Sequence, residues 1–153
     1  VTASTVGGSH NGSDWGVPRR LRGNADPSGL VTHVFDDGDQ IQARYLRVTV
    51  LEWGGGGPAL RLELYGQGLE EPIGMQSGAV ADNQISASSE QLMQGNAKHA
   101  RLHSTNGGGG WIAAQNDEAQ WLQVDLRTRR PVVAVATQGR AGDGQMMCVT
   151  SYE

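Results

Sequence analysis

The sequence predicts an all-β domain made of many short strands, in the sandwich or jelly-roll class. Glycine contributes 23 of the 153 residues. That is well above the usual share of about 7%, and such a chain is rich in turns and poor in helix. Several stretches alternate apolar and polar residues with the period of two that a half-buried strand requires. No stretch sustains the 3.6-residue period of a helix, so strands must build the core.

The first half of the chain contains three predicted strands. Residues 30–35 form a short one that ends at an acidic turn, and residues 43–53 form a long one rich in β-branched and aromatic side chains. Residues 59–65 follow a loop of four glycines, 54–57, and their three leucines share one face. We expect the last two strands to pair as an antiparallel hairpin.

The second half adds further strand signals. Residues 82–89 form a polar short-strand region, residues 121–126 alternate cleanly, and the β-branched run 131–137 suits one buried strand. Residues 149–153 begin another strand, and residues 1–5 resemble a strand that lacks its beginning. Two incomplete strands therefore stand at opposite ends of the sequence.

Composition and charge narrow the function. The net charge is −4, which does not suit a general nucleic-acid binder because phosphate contacts need a concentrated basic field. The single cysteine, Cys148, cannot form an intrachain disulfide. No apolar run approaches the ~20 residues that span a membrane, and no signal peptide is recognisable at Val1, so we expect a mature or excised segment.

Multi-residue motifs occur in two groups along the chain. One group comprises residues 81–89, 100–102, 111–114, 120–126 and 135–140; the other comprises Phe35 and residues 43–47, 51–53 and 60–66. The first group resembles the front half of a discoidin domain, also called the coagulation factor five/eight C-type domain, and the second group resembles its back half. The resemblance covers nearly the whole chain. It implies that residues 1–153 form a single discoidin-like jelly-roll β-sandwich or barrel.

The two halves stand in reversed order. In the family the front half comes first, whereas here the back half (1–66) is followed by a connector (67–74) and then by the front half (75–153). If the halves were exchanged, residues 149–153 would run directly into residues 1–5, with nothing missing or duplicated. We interpret the chain as a circular permutant, or as a piece cut from a tandem array at that register.

The family usually joins its two ends by a disulfide, and both of those cysteines are absent here. A disulfide that closes a domain-sized loop contributes about 4 to 5 kcal/mol in the chain-entropy model. A short peptide joining the same ends imposes a similar closeness, so the connector replaces the disulfide. We expect residues 1–5 and 149–153 to lie near each other, and the opened strand to offer a route to a homodimer.

The resemblance also implies a function. Discoidin-like domains are non-enzymatic recognition or adhesion modules, so we expect an extracellular module, secreted or at the cell surface, without a cofactor. Its partners would be cell-surface glycans or anionic phospholipid headgroups, bound by loops at one end of the barrel: residues 53–58, 90–98, 115–118 and 139–147. The alternative is a structural or assembly domain that oligomerises through its opened strand. An enzyme is the least favoured class.

Two sets of side chains in these loops are candidate ligand contacts. For a lipid surface they are Leu92, Met93 and Met146, which would insert, with Lys98 and Arg140 attracting the headgroups. For a glycan they are Trp53, His99, Asn116, Asp117 and Arg140. Trp111 and Trp121 match core tryptophans of the family and are excluded. Met147 and Cys148 are expected to start the next strand and to pack in the core.

The charged residues predict no metal site and one structural ion pair. The acidic stretch 36–39 does not fit a calcium loop and is interpreted as a polar turn. The loop at 95–98, where carbohydrate-binding relatives hold calcium, has no acid, so no metal is predicted. A pair formed by Arg44 or Arg47 with Asp125 is interpreted as a structural link between strands.

Overall fold

The computed structural model of the chain describes residues 6–67, 69–142 and 147–153. Within those residues it contains two antiparallel sheets and no α-helix, which confirms the all-β prediction. Two single turns of 3-10 helix, Asp82–Gln84 and Ala97–His99, lie between strands. The strands are β1 (Gly7–Ser9), β2 (Leu21–Arg22), β3 (Val31–Val34), β4 (Ile41–Gly55), β5 (Ala59–Tyr65), β6 (Ile85–Ala87), β7 (Trp111–Ile112), β8 (Trp121–Val132), β9 (Ala134–Gln138) and β10 (Met147–Tyr152).

The strands form a sandwich. One sheet has six strands in the order β2-β10-β4-β8-β6, with β1 pairing β4 beside β10, and the other has the order β3-β9-β5-β7. The long strand β4 is central to the first sheet because its alternating apolar residues face the second sheet. Leu46, Val48 and Val50 are fully buried there. On β8, Leu122 and Val124 point to the same core, as the predicted alternation requires.

The predicted hairpin between the strands at 43–53 and 59–65 is wrong. β4 and β5 belong to different sheets, so the glycine loop between them carries the chain across the sandwich. β5 lies inside the second sheet, between β9 and β7, and is buried along both faces. Besides its leucines it buries Arg61 and Glu63, which are 4% and 1% exposed.

The predicted single strand at 131–137 is also divided. β8 ends at Val132, which lies opposite Ile41 in the first sheet, and β9 begins at Ala134, which lies opposite Val34 in the second. Val133 makes the crossing, and its backbone N–H donates to the Tyr65 carbonyl at 2.8 Å. A β-branched run can thus be buried throughout and still serve two sheets.

The tryptophans divide between core and surface. Trp111 is fully buried, as predicted, and its indole Nε1 donates to the Ser89 carbonyl at 2.9 Å. Trp121 is only half-buried and lies on the outer face of β8, so its assignment to the core is wrong. There the Arg47 guanidinium lies between two indole rings, 4.2 Å from the centroid of Trp15 and 4.2 Å from that of Trp121.

The residues on the two sides of the connector lie close together, and one buried carboxylate holds the residues at its end. Tyr65 and Pro72 form a β-bridge, and the Ile73 N–H donates to the Leu64 carbonyl at 2.7 Å. Glu63 then holds the residues that follow. Its carboxylate accepts hydrogen bonds from four backbone N–H groups, those of Leu64, Gly74, Met75 and Gln76.

β10 and β1 pair with the same edge of β4. Tyr152 lies opposite Val50, and the backbones of Glu153 and Thr49 exchange hydrogen bonds. Farther along that edge Gly7 lies opposite Arg47. Residues 1–5 lie outside the described residues, so their expected proximity to residues 149–153 stays a prediction.

Candidate functional site

Hydrogen bonds to one carboxylate hold the two ends of the 90–98 loop together. The Glu90 carboxylate accepts hydrogen bonds from Asn96 Nδ2 at 2.9 Å and from the Ala97 N–H at 3.1 Å. Within the loop the Gly95 N–H donates to the Gln91 carbonyl at 3.0 Å. This base fixes the direction in which the tip projects from the sandwich.

The tip of that loop presents two apolar side chains to solvent. Leu92 is 84% exposed and Met93 is 89% exposed. Met93 also has a φ of 70°, in the left-handed region that bulky residues rarely adopt. A side chain held outward in a strained backbone is the pattern expected of a functional position, because burial does not offset its cost.

Two neighbouring loops support the 90–98 loop. The Gly108 N–H donates to the Gln94 carbonyl at 2.5 Å, and the Ala141 N–H donates to the Gly109 carbonyl at 2.8 Å. A cleft of about 380 Å³ lies where these loops meet. It is lined by Gln94, Thr105, Gly107, Gly108, Arg140, Ala141 and Gly142. The sequence does not indicate most of this cleft, because the glycine run 107–110 has no side chains that would point to a binding site.

Arg140 does not project from the surface as predicted. It is 7% exposed, and its Nε donates to the Gly108 carbonyl at 2.5 Å while Nη1 contacts Met147 Sδ at 3.4 Å. Its guanidinium therefore forms part of the wall of the cleft.

The base of the loop carries a second group of polar side chains. Lys98 is exposed. Burial lowers the pKa of His99, and the charge of Lys98 lowers it further. Arg101 Nη2 donates to Asp82 at 2.6 Å, which lowers the pKa of that carboxyl. Lys98 is the exposed cation of this group.

Three of the predicted glycan contacts, Trp53, Asn116 and Asp117, make contacts within the domain. Trp53 is half-buried, packs against the main core and lies opposite Val149. Asn116 Nδ2 donates to the Gly56 carbonyl at 3.3 Å, and Asp117 accepts from Gln120 Nε2 at 2.6 Å. These side chains secure the loops at 53–58 and 115–118. Their role as glycan contacts stays a prediction.

Met146 and Met147 stand at the end of the 139–147 loop, and of the two only Met147 belongs to the described residues. Met147 is 7% exposed and packs with Ala59 and Ile112, as expected of a residue that starts β10. Cys148 is fully buried beside it. Met146, predicted to insert into lipid, lies outside the described residues.

Of the predicted ion pairs, one forms. Arg44 binds Asp125 through two hydrogen bonds of 2.8 and 2.9 Å, which lower the pKa of the Asp125 carboxyl. Arg47 instead donates to Gln123 Oε1 at 2.8 and 3.1 Å. Both links join β4 to β8 on the outer face of the sheet, far from the loops described above, and their role is structural.

The described part of the chain contains neither a membrane-spanning helix nor a cluster of metal ligands. No helix there is both long and apolar enough to cross a membrane. Within the same residues no three His, Cys, Asp or Glu side chains are grouped closely enough to hold a metal ion.

Several known proteins are similar to the chain in sequence. Coagulation factor V of Sus scrofa is 36% identical over 139 residues, which make up 86% of this chain and 6% of that protein. Lactadherin of Mus musculus is 32% identical over 147 residues, 90% of this chain and 31% of that protein. The EGF-like repeat and discoidin I-like domain-containing protein 3 of Homo sapiens is 38% identical over 103 residues, 61% of this chain and 22% of that protein.

The chain thus spans about a third or less of each of these relatives. No solved structure matches it significantly. Residues 84–153 match the family model of the F5/8 type C domain. Together with the two-sheet sandwich, these matches establish that the chain belongs to the discoidin, or F5/8 type C, family.

Proposed function

We propose that the chain is a non-enzymatic, extracellular recognition module that binds anionic phospholipid surfaces through the tip of the 90–98 loop. The observation that carries the proposal is the exposure of Leu92 and Met93, 84% and 89%, on a loop whose base is clamped by Glu90. Two adjacent apolar side chains that are this exposed to water are stabilised when they enter an acyl layer.

The size of this contribution follows from the area involved. Each CH₂ group moved from water into hydrocarbon contributes about 0.8 kcal/mol. Shortening Leu92 and Met93 to alanine removes several such groups, so even partial insertion accounts for more than 1.4 kcal/mol, a factor of ten in affinity. The loop is already held in its projecting form, so little conformational entropy is lost on insertion.

Charge supplies the preference for anionic lipid. Lys98 is exposed at the base of the same loop, and one cation near an anionic surface contributes about 1 kcal/mol. Since the chain as a whole has a net charge of −4, the attraction is local and weakens with added salt.

Membership of the family supports this proposal. The resemblance to discoidin domains implies a non-enzymatic, extracellular module that binds phospholipid headgroups or glycans. A glycan remains the other ligand class predicted from the motifs. The phospholipid is favoured because the side chains assigned to glycan binding are engaged in loop contacts, whereas Leu92 and Met93 are exposed.

Vesicle sedimentation tests the proposal. Intact chain is mixed with phosphatidylcholine vesicles that contain or lack phosphatidylserine, and the bound fraction is measured with the Leu92→Ala/Met93→Ala double variant alongside. We expect binding to the vesicles with phosphatidylserine, at least tenfold weaker binding by the double variant, and a further loss as salt is raised.

The matched control is Val17→Ala, because Val17 is 92% exposed but lies outside these loops. We expect that variant to bind like the parent. Parent-like binding by the Leu92→Ala/Met93→Ala variant would exclude insertion by these side chains. Absence of binding to both vesicle types, with binding on a glycan array, would replace the lipid by a glycan.

A further inference from the structure

The turn that follows β1 carries an acceptor pattern for a glycan. Asn11, Gly12 and Ser13 follow one another in the chain. In secreted proteins, an asparagine followed by any residue except proline and then by serine or threonine is the pattern at which a glycan is attached to the asparagine side chain. Among the asparagines of the chain, only Asn11 has serine or threonine two positions later. The pattern therefore singles out this turn.

The structure places the pattern on an exposed surface. Asn11 and Ser13 are exposed, and Gly12 has a φ of 79°, in the left-handed region that glycine adopts without strain. The side-chain oxygen Oδ1 of Asn11 accepts hydrogen bonds from the backbone N–H of Ser13 at 2.9 Å and from that of Asp14 at 2.8 Å. The Asn11 side chain is thus held by its own turn at a surface where a glycan can extend into solvent.

Glycosylation of Asn11 is compatible with the hydrogen bonds of the turn. The Nδ2 atom carries two hydrogens, and it donates to the Asp14 carboxylate at 2.6 Å. Attachment of a sugar replaces one hydrogen of Nδ2 and leaves Oδ1 as it is. The modified side chain therefore keeps one donor for Asp14 and the acceptor that the backbone N–H groups of Ser13 and Asp14 use.

A cleft beside the turn provides room for the first sugar. Its volume is about 440 Å³, and the neighbours of Asn11 in the sequence, His10 and Asp14, contribute to its walls. Val17 also lines it and is 92% exposed. A pyranose ring combines hydroxyl groups with an apolar face, so polar walls beside an exposed apolar side chain suit such a ring. A sugar on Asn11 would cover part of this apolar surface.

The turn lies far from the 90–98 loop. β1 pairs with the first half of β4, where Ser9 lies opposite Tyr45. The 90–98 loop is hydrogen-bonded to β7, which pairs with the start of β5, just beyond the end of β4 at Gly55. Tyr45 and Gly55 are ten positions apart, or about 33 Å along a strand. A glycan on Asn11 therefore leaves the tip of the 90–98 loop uncovered.

We propose that Asn11 is an N-glycosylation site that is occupied as the chain passes through the secretory pathway of a eukaryotic cell. The donor is an oligosaccharide that is linked through a diphosphate to a lipid and begins with N-acetylglucosamine. Nδ2 of Asn11 forms a bond to the anomeric carbon of that sugar, the bond from this carbon to the diphosphate oxygen breaks, and the lipid diphosphate leaves. Nδ2 loses one proton, and no atom is oxidised or reduced. The inference rests on the extracellular location in the proposed function, but not on lipid binding.

Secretion from cultured mammalian cells tests the site. The full chain is expressed behind a cleavable secretion signal, and the intact mass of the secreted protein is measured before and after treatment with peptide N-glycosidase. We expect a mass above that of the polypeptide, loss of the excess on treatment, and conversion of Asn11 to aspartate in the peptide map. Secreted protein that carries no glycan at Asn11 would overturn the inference.

Two variants and an internal control tie the modification to the pattern. Ser13→Ala removes the hydroxyl but keeps the backbone N–H that donates to Asn11, so this variant should be secreted without the glycan. Ser13→Thr keeps the pattern and should carry the glycan. Asn106 is exposed and is also followed by glycine, but it has no serine or threonine two positions later, so it should stay unmodified. A glycan on Asn106, or one that persists on Asn11 in Ser13→Ala, would contradict the role of the pattern.

Vesicle sedimentation separates this inference from the proposed lipid binding. The glycosylated chain and the chain treated with peptide N-glycosidase should bind vesicles that contain phosphatidylserine to the same extent, because Asn11 lies at the far end of the sandwich from the 90–98 loop. Much weaker binding by the glycosylated chain would overturn that placement. If neither form binds while the glycan is present on Asn11, the lipid proposal fails and the glycosylation site stands.

Discussion

Arg61 and Glu63 show how single residues secure this domain. They are buried on one face of β5, and the leucines that alternate with them along the strand are buried on the other face. Arg61 donates to three carbonyls, those of Gly139, Ser104 and Pro27, and Glu63 accepts from four N–H groups. Buried charges are tolerated because backbone dipoles satisfy them, and here each one fixes a distant loop to the strand.

We expect Glu63→Gln to destabilise the domain by about 2 kcal/mol, the cost of leaving a buried backbone donor without an acceptor. The side-chain NH₂ group of the glutamine would face a backbone N–H that now donates a hydrogen bond to the carboxylate, either that of Gln76 or that of Met75. Urea unfolding measures the loss. Glu52→Gln, at an exposed site on β4, is the control and should change the free energy of unfolding by no more than about 0.5 kcal/mol. Equal effects would contradict the role assigned to Glu63.

Strand positions were predictable from the sequence where one face is buried and the other is exposed. β4 and β8 follow that pattern, and both were located within a few residues of their observed start. β5 was located too, but burial of its polar face could not be predicted, because the carbonyls that satisfy Arg61 come from loops distant in sequence. The same holds for the hairpin prediction, since adjacency in sequence does not decide which sheet a strand joins.

The loops show the same division between local and long-range information. Exposure of Leu92 and Met93 was expected because the resemblance to the family places them at the tip of a ligand-binding loop. The burial of Arg140 and the cleft it lines were not, because they depend on the glycine run packing against residue 141. At Gly109 a Cβ would lie 1.4 Å from the Ala141 carbonyl oxygen, so the close approach needs glycine.

A pair of glycine substitutions separates this packing from backbone conformation. Gly109 and Gly78 have nearly equal φ angles, +78° and +83°, but a Cβ at Gly78 meets nothing within 4 Å. We expect Gly78→Ala to cost about 1 kcal/mol, from the left-handed conformation alone. Gly109→Ala should cost about 2 kcal/mol more, because backbone must move. Thermal unfolding compares them, and equal losses would show that the two loops do not pack as described.

At the scale of the whole molecule, the motif groups gave the family and the sandwich class correctly. The motifs also indicate that the halves stand in reversed order. The interpretation of the chain as a circular permutant, or as a piece cut from a tandem array, stays a prediction.

Acid should destabilise the domain in two steps. Burial, aided by Lys98, lowers the pKa of His99 below its usual 6.5, so the unfolded chain takes up a proton first as the pH falls below that value. Hydrogen bonds from Arg44 and Arg101 lower the pKa of Asp125 and of Asp82 below 3.8, so their contribution is complete above that pH and is lost as the pH falls through the folded-state values.

Urea unfolding at a series of pH values measures both steps. We expect the free energy of unfolding to be highest above pH 7, to decline below about pH 6.5, and to fall again below about pH 4. His99→Gln should remove the first decline and leave the second. Stability that is constant between pH 8 and pH 5 in the parent would contradict the environment described for His99.

The stacking of Arg47 between Trp15 and Trp121 gives the molecule a built-in optical reporter. One indole belongs to the first half of the chain and the other to the second, and the guanidinium lies 4.2 Å from both centroids. A cation held against an indole face alters the light that the ring emits. Intrinsic emission from this stack therefore records, without any label, the moment at which the two halves come together.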